Sequence, residues 1–178
     1  MTQFPSRIST SRAIALAALL TALALIFSYV ESLVPLGIAI PGVKLGIANL
    51  VIIVALYLLN FKYAFTVNIL RIILAGLLFS GVFGMLYSLA GGLLSLLVMG
   101  FLKRSGRFSI IGISIAGGFM HNLGQIFTAA LVMGTTKIFL YFPMLIFSGI
   151  ITGTIIGIVA YIILHRLSPS SVSPDQVQ

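Results

Sequence analysis

Apolar residues run through this chain in long blocks, separated by short breaks that carry polar residues, glycine or proline. A block of about 20 apolar residues is the length a helix needs to cross a hydrocarbon core roughly 30 Å thick. Six blocks satisfy that reading, at 13–33, 42–59, 63–79, 82–102, 110–133 and 138–164. The first is too long for the apolar core of a signal peptide, and no small-residue cleavage site precedes a soluble portion. Segment 34–41 holds Pro35, Gly37 and Pro41, which cannot continue a helix, so it is predicted to be an ordered or re-entrant outer loop. The pattern predicts an all-α integral membrane protein: a cytoplasmic segment at 1–12, a six-helix transmembrane domain at 13–166 and a disordered cytoplasmic tail at 167–178.

Composition strengthens the membrane reading and narrows the chemistry. Of 178 residues 60% are hydrophobic and 7% charged, and the mean hydropathy is +1.25. A water-soluble domain of this size cannot bury so much apolar surface. Ten Lys and Arg face two acids, Glu31 and Asp175, and Asp175 lies in the tail. A single membrane carboxylate excludes catalysis by paired acids and an aspartate-rich magnesium site. The absence of cysteine excludes disulfides, thiolate catalysis and Cys-ligated metals. The formal charge of +8 does not point to nucleic acid. With the N-terminus inside, Arg7, Arg12, Lys62, Lys103, Arg104, Arg107 and Arg166 fall on the cytoplasmic side and Lys137 outside, which is the positive-inside distribution of a cell-membrane protein in its lipid bilayer. An even number of spans returns the C-terminus to the cytoplasm.

Two surfaces of small residues mark close helix packing. Ala13 with Ala17, and Ala18 with Ala22, share faces of the first span; Gly149, Gly153 and Gly157 form a ridge on the last. The glycine ridge favours contact within the bundle. The alanine face serves either that purpose or docking of a partner membrane subunit.

Ionisable and amide side chains inside the membrane are costly and point to function. Arg71 lies nine positions beyond Lys62, about 13 Å along the helix axis, near the midplane. It either clamps a carboxylate or phosphate or locks the bundle by pairing with Glu31 or backbone carbonyls. Asn68 shares its face. Lys44 and Glu31 flank the proline-bearing loop; they snorkel or pair with each other, or Lys44 recruits an anionic ligand at the outer mouth with Asn49 further in. On the fifth span His121, Asn122 and Gln125 cluster with Gly117, Gly118 and Gly124 as a candidate wall of a binding site. The only other histidine, His165, is predicted at the opposite membrane face, so neither a metal nor a cofactor is expected. Gly37, Gly42 and Lys44 imitate a phosphate loop, but no Ser or Thr follows the lysine and no strand precedes it.

The run Pro41-Gly-Val-Lys-Leu-Gly-Ile-Ala-Asn-Leu50, Arg71 with residues 74–81, the stretch 84–92 and the run 118–122 resemble a bacterial membrane family named both Gx transporter and heptaprenyl diphosphate synthase component I. More broadly the chain is similar to substrate-binding subunits of energy-coupling factor transporters. That resemblance implies six helices with cytoplasmic termini, an outward-facing pocket, and a small-residue face on the first helix that docks a transmembrane scaffold coupled to ATPase subunits. On this reading Lys44, Asn49, Arg71, His121, Asn122 and Gln125 bind a small anionic or polar ligand, and Ala13, Ala17, Ala18 and Ala22 dock the scaffold. The alternative is a non-catalytic membrane accessory in polyprenyl diphosphate or quinone metabolism, or in an electron-transfer assembly. With its only aspartate in the tail, the chain is not the catalytic subunit of a prenyl diphosphate synthase.

Overall fold

The computed structural model describes residues 9–33 and 46–167. Those residues form α1 (Thr10–Leu33), α2 (Asn49–Leu58), α3 (Phe61–Ala75), a π-helical turn (Gly76–Ser80), α4 (Gly81–Ser105), α5 (Ile110–Met133), a 3-10 segment (Thr136–Tyr141) and α6 (Phe142–Leu167), with no strand among them. Four segments are long and apolar enough to cross a membrane: Thr10–Leu33, Phe61–Ser105, Ile110–Met133 and Thr136–Leu167. The protein is an all-helical, multi-pass membrane protein.

Local signals set several helix ends. Asn60 caps α3 by accepting a hydrogen bond from the Tyr63 N–H at 3.1 Å, and Ser109 caps α5 by accepting from the Gly112 N–H at 3.1 Å. Gly106 and Gly134 end α4 and α5 in the left-handed conformation that glycine adopts without penalty. Pro143 sits in the first turn of α6, where a missing N–H breaks no helical bond.

The 45-residue stretch Phe61–Ser105 is not one rod. At Gly81 the backbone takes φ 67° and ψ 178°, a region open essentially to glycine alone, and the chain reverses there. Antiparallel contacts confirm the fold-back: Asn68 donates to the Gly92 carbonyl at 3.0 Å, Gly76 lies against Met85, and Gly100 lies against Phe61.

The second span departs from expectation. A span at 42–59 is predicted, but among the described residues the α-helix begins only at Asn49 and runs 10 residues, about 15 Å. Gly46, with φ 82°, cannot lie in a helix, and its N–H and that of Ile47 donate to the Glu31 carboxylate instead of to helical carbonyls. This short helix is nevertheless the centre of the molecule. It touches α1, α3, α4, α5 and α6, and every residue from Val51 to Tyr57 is buried, as expected of a helix apolar on all sides. The sixth predicted span, 138–164, falls within the apolar segment Thr136–Leu167, whose first residues, 136–141, are a 3-10 turn before the α-helix begins at Phe142.

Lipid is as apolar as leucine, so burial away from it gains no hydrophobic free energy, and packing must hold the helices together. The glycine ridge on α6 does this. A methyl group on Gly153 would sit 2.8 Å from the Ile115 Cα, and one on Gly157 2.8 Å from the Ile111 Cα, so the α5 and α6 backbones are in contact. Gly124 on α5 meets the Ala90 carbonyl and Gly91 of α4 in the same manner. Of the four alanines singled out on α1, Ala13 and Ala17 are buried within the bundle together with Leu20, Thr21, Ala24, Ser28 and Glu31, whereas Ala18 and Ala22 are exposed. Of the two alanine pairs, only Ala18 and Ala22 lie on the outer surface of α1.

Candidate functional site

The polar side chains converge on the level where α2 starts. From α1 come Ser28 and Glu31, one turn apart and both buried. From α3 come Asn68 and Arg71, also one turn apart; Arg71 is 3% exposed. From α5 come His121, Asn122 and Gln125, all buried. Asn49 opens α2 and is buried as well. Lys44 lies outside the described residues.

Arg71 is held by neutral acceptors. Its Nε and Nη2 donate to the Asn68 Oδ1 at 3.2 and 2.9 Å, and its Nη1 donates to the Ser28 Oγ at 3.4 Å. Asn68 is fixed in turn by the bond from its amide to the Gly92 carbonyl, so the arginine's partner is anchored to α4. Glu31 is near enough for its charge to act on Arg71. Three of the five guanidinium N–H groups are thus engaged by Asn68 and Ser28. Asn68 and Ser28 orient the guanidinium, and Glu31, the partner named for a structural lock, adds its charge beside them.

Glu31 serves the start of α2. Its carboxylate accepts from the N–H groups of Gly46 and Ile47, where the helix dipole carries a partial positive charge and favours an anion. A methyl on Gly46 would lie 3.0 Å from the Asn49 Nδ2 and 3.1 Å from the His121 Cδ2, so the α2 entry touches both Asn49 and the α5 histidine. Gly91 and Gly92 on α4 separate two groups of side chains. Gly92 faces Asn68, and Gly91 faces His121 and Gln125, with a methyl on Gly91 only 3.0 Å from the Gln125 Cγ and the His121 Nδ1. Larger residues at these two positions would push the halves of the cluster apart.

Asn122 belongs elsewhere. Its amide donates to the Leu145 carbonyl at 2.6 Å and abuts Gly149, placing it in the α5–α6 seam, although its Oδ1 is buried with no hydrogen-bond partner. One residue along a helix is a rotation of about 100°, so His121 and Asn122 address different neighbours. Asn49, Arg71, His121 and Gln125 share one polar layer with Glu31, Ser28 and Asn68. The last three were not singled out from sequence as site residues. Ser28, one turn before Glu31 on the same face, carried a legible signal, whereas the bonds from Glu31 to a backbone 15 residues away did not.

No curated protein and no solved structure matches the chain. The family described as heptaprenyl diphosphate synthase component I matches residues 20–163, which takes in α2 to α5 entirely and every described member of the polar layer. By that match the chain belongs to the heptaprenyl diphosphate synthase component I family, also known as the Gx transporter family.

Proposed function

We propose that the protein is a substrate-binding transport subunit of the cell membrane that receives a small anionic molecule at the Arg71 layer. It has six spans with both termini in the cytoplasm, and a separate ATP-driven module powers uptake through a scaffold docked on α1. The observation that supports this most is the pairing of a half-length helix with an arginine. The N-terminus of α2 ends inside the bundle at the level of Glu31, and Ser28, which holds Arg71, lies about 4.5 Å away along α1. Interrupted helices whose N-termini face an anionic group are a recurring solution in transporters. In this arrangement Glu31 occupies the helix-end site and Arg71 is the cation that draws the ligand. His121, Gln125 and Asn49 supply orienting hydrogen bonds, and Lys44 stands at the outer mouth. The test is mass spectrometry of small molecules released from purified protein, comparing the native chain with Arg71→Gln. The native chain should retain an anionic solute and the variant at most a tenth as much; equal retention by a folded variant overturns the proposal.

The family description favours a second reading, a membrane component of a polyprenyl diphosphate synthase. Since the only acids are Glu31 and Asp175, such a role is an accessory one, without the aspartates that magnesium-dependent prenyl transfer needs. It predicts stable co-purification with a soluble synthase subunit and no retained small solute.

A further inference from the structure

Away from the polar layer, the α2–α3 connection and the end of α4 enclose a groove of about 570 Å³. Its walls are Leu59, Phe61, Leu97 and Phe101, and Lys103 and Arg104 stand along it. Leu97 is 55% and Phe101 74% exposed, so the groove opens on the face that meets lipid. It lies at the end of the bundle where basic residues gather: Lys62 follows Phe61, Arg107 follows α4, and Arg166 ends α6.

The two basic residues differ in kind. Lys103 donates to the Leu56 carbonyl at 2.6 Å and lies 4.5 Å from the centre of the Tyr57 ring. It thereby satisfies a carbonyl in the last turn of α2. That fixes its ammonium in place with two N–H donors remaining. Arg104 is exposed. The first-turn N–H groups of Phe61 and Lys62 at the start of α3 have no acceptor within the helix, and they bring a partial positive charge to the same spot. Apolar walls running into a cluster of positive groups, one of them held in place, match an amphiphile with a phosphate head. At about 30 Å³ for a water-sized group, the groove holds roughly 20 such groups, enough for a headgroup and the beginning of one chain while the rest stays in the bilayer.

We propose that this groove binds one acidic phospholipid of the surrounding bilayer, its phosphate against Lys103, Arg104 and the start of α3 and its chain along Leu97 and Phe101. The lipid fills a gap at the foot of the central helix and ties the α2–α3 connection to the membrane. Native mass spectrometry of the full chain in detergent, titrated with phosphatidylglycerol or phosphatidylcholine, tests this. One phosphatidylglycerol should bind in preference to phosphatidylcholine. Arg104→Gln should weaken it about fivefold, the weight of one basic residue at an anionic lipid surface, while Arg107→Gln, outside the groove, should leave it unchanged. Leu97→Trp, which fills the apolar part at a lipid-facing position, should also reduce binding. Equal affinity for the two lipids, equal loss in Arg104→Gln and Arg107→Gln, or no effect of either groove variant overturns the proposal. Farnesyl diphosphate displacing the phospholipid at equimolar concentration would overturn the bilayer source and return the groove to prenyl chemistry. None of these outcomes depends on the Arg71 layer.

Discussion

Gly153→Ala and Gly112→Ala are the same chemical change on two neighbouring helices, and they should act differently on stability, Gly112→Ala raising it and Gly153→Ala leaving it level or lowering it. At Gly112 the nearest atom to an added methyl is the Ser109 Oγ at 3.5 Å, an ordinary contact. There alanine gains helix propensity, up to about 1 kcal/mol over glycine. At Gly153 the added methyl meets the Ile115 Cα at 2.8 Å and the Ser114 carbonyl oxygen at 2.9 Å, both backbone atoms. Carbon atoms rest about 3.5 to 4.0 Å apart, so α5 and α6 must separate by roughly 1 Å along a seam that also holds the Asn122–Leu145 bond. Overpacking of this kind costs about 1 to 3 kcal/mol, which exceeds or cancels the propensity gain, so Gly153→Ala ends between neutral and about 2 kcal/mol less stable. The difference between the two variants isolates the strain. Unfolding from mild detergent by added dodecyl sulfate, followed by far-ultraviolet circular dichroism, measures it without a tryptophan, of which the chain has none. A double Gly118→Ala/Gly153→Ala variant should lose less than the sum of its parts, because one separation relieves both contacts. Equal shifts of the same sign for Gly112→Ala and Gly153→Ala would refute the close seam.

Two further outcomes follow from the geometry. Gly81→Ala places a methyl where nothing lies within 4 Å, so its cost is the backbone conformation alone, about 1 to 3 kcal/mol, read as a lower denaturation midpoint; an unchanged midpoint would mean that the α3–α4 reversal does not pass through that conformation. Lys103→Met removes the bond to the Leu56 carbonyl and should destabilise by about 1.5 kcal/mol, the lower end for a charged donor. Lys103→Arg should recover part of that loss, and the check is the denaturation midpoint of all three proteins.

What the sequence carried was the information held in uninterrupted runs. The fifth span, predicted at 110–133, matches Ile110–Met133 residue for residue, because Ser109 and Gly134 punctuate it. The glycine ridge on α6 was legible as helix packing for the same reason, since spacing of four fixes a face. The second span was not legible. Residues 46–48 are Gly, Ile and Ala, apolar enough to continue a helix, yet Gly46 takes φ 82° and its N–H and that of Ile47 donate to Glu31 of another helix. Cluster density along 117–125 likewise does not say which partner each side chain meets: Asn122 turns to the Leu145 carbonyl, whereas His121 lies by Gly46 and Gly91. Arg71 and Asn68 were placed on one face correctly, and their bonds carry that through.

The central position of α2 also has a bearing on how the protein is made. At 10 residues it is too short to be held across the bilayer by lipid alone, and its place is defined by contacts with five other helices, four of which are synthesised after it. A helix in that position emerges before most of what encloses it. Until α6 arrives, α2 lacks the part of its enclosure that α6 supplies, and the α5 seam residues Gly118 and Asn122 lack their partners. Quality control during membrane insertion would therefore act on the enclosure of α2, and truncation before α6 should yield a protein that is inserted but not consolidated.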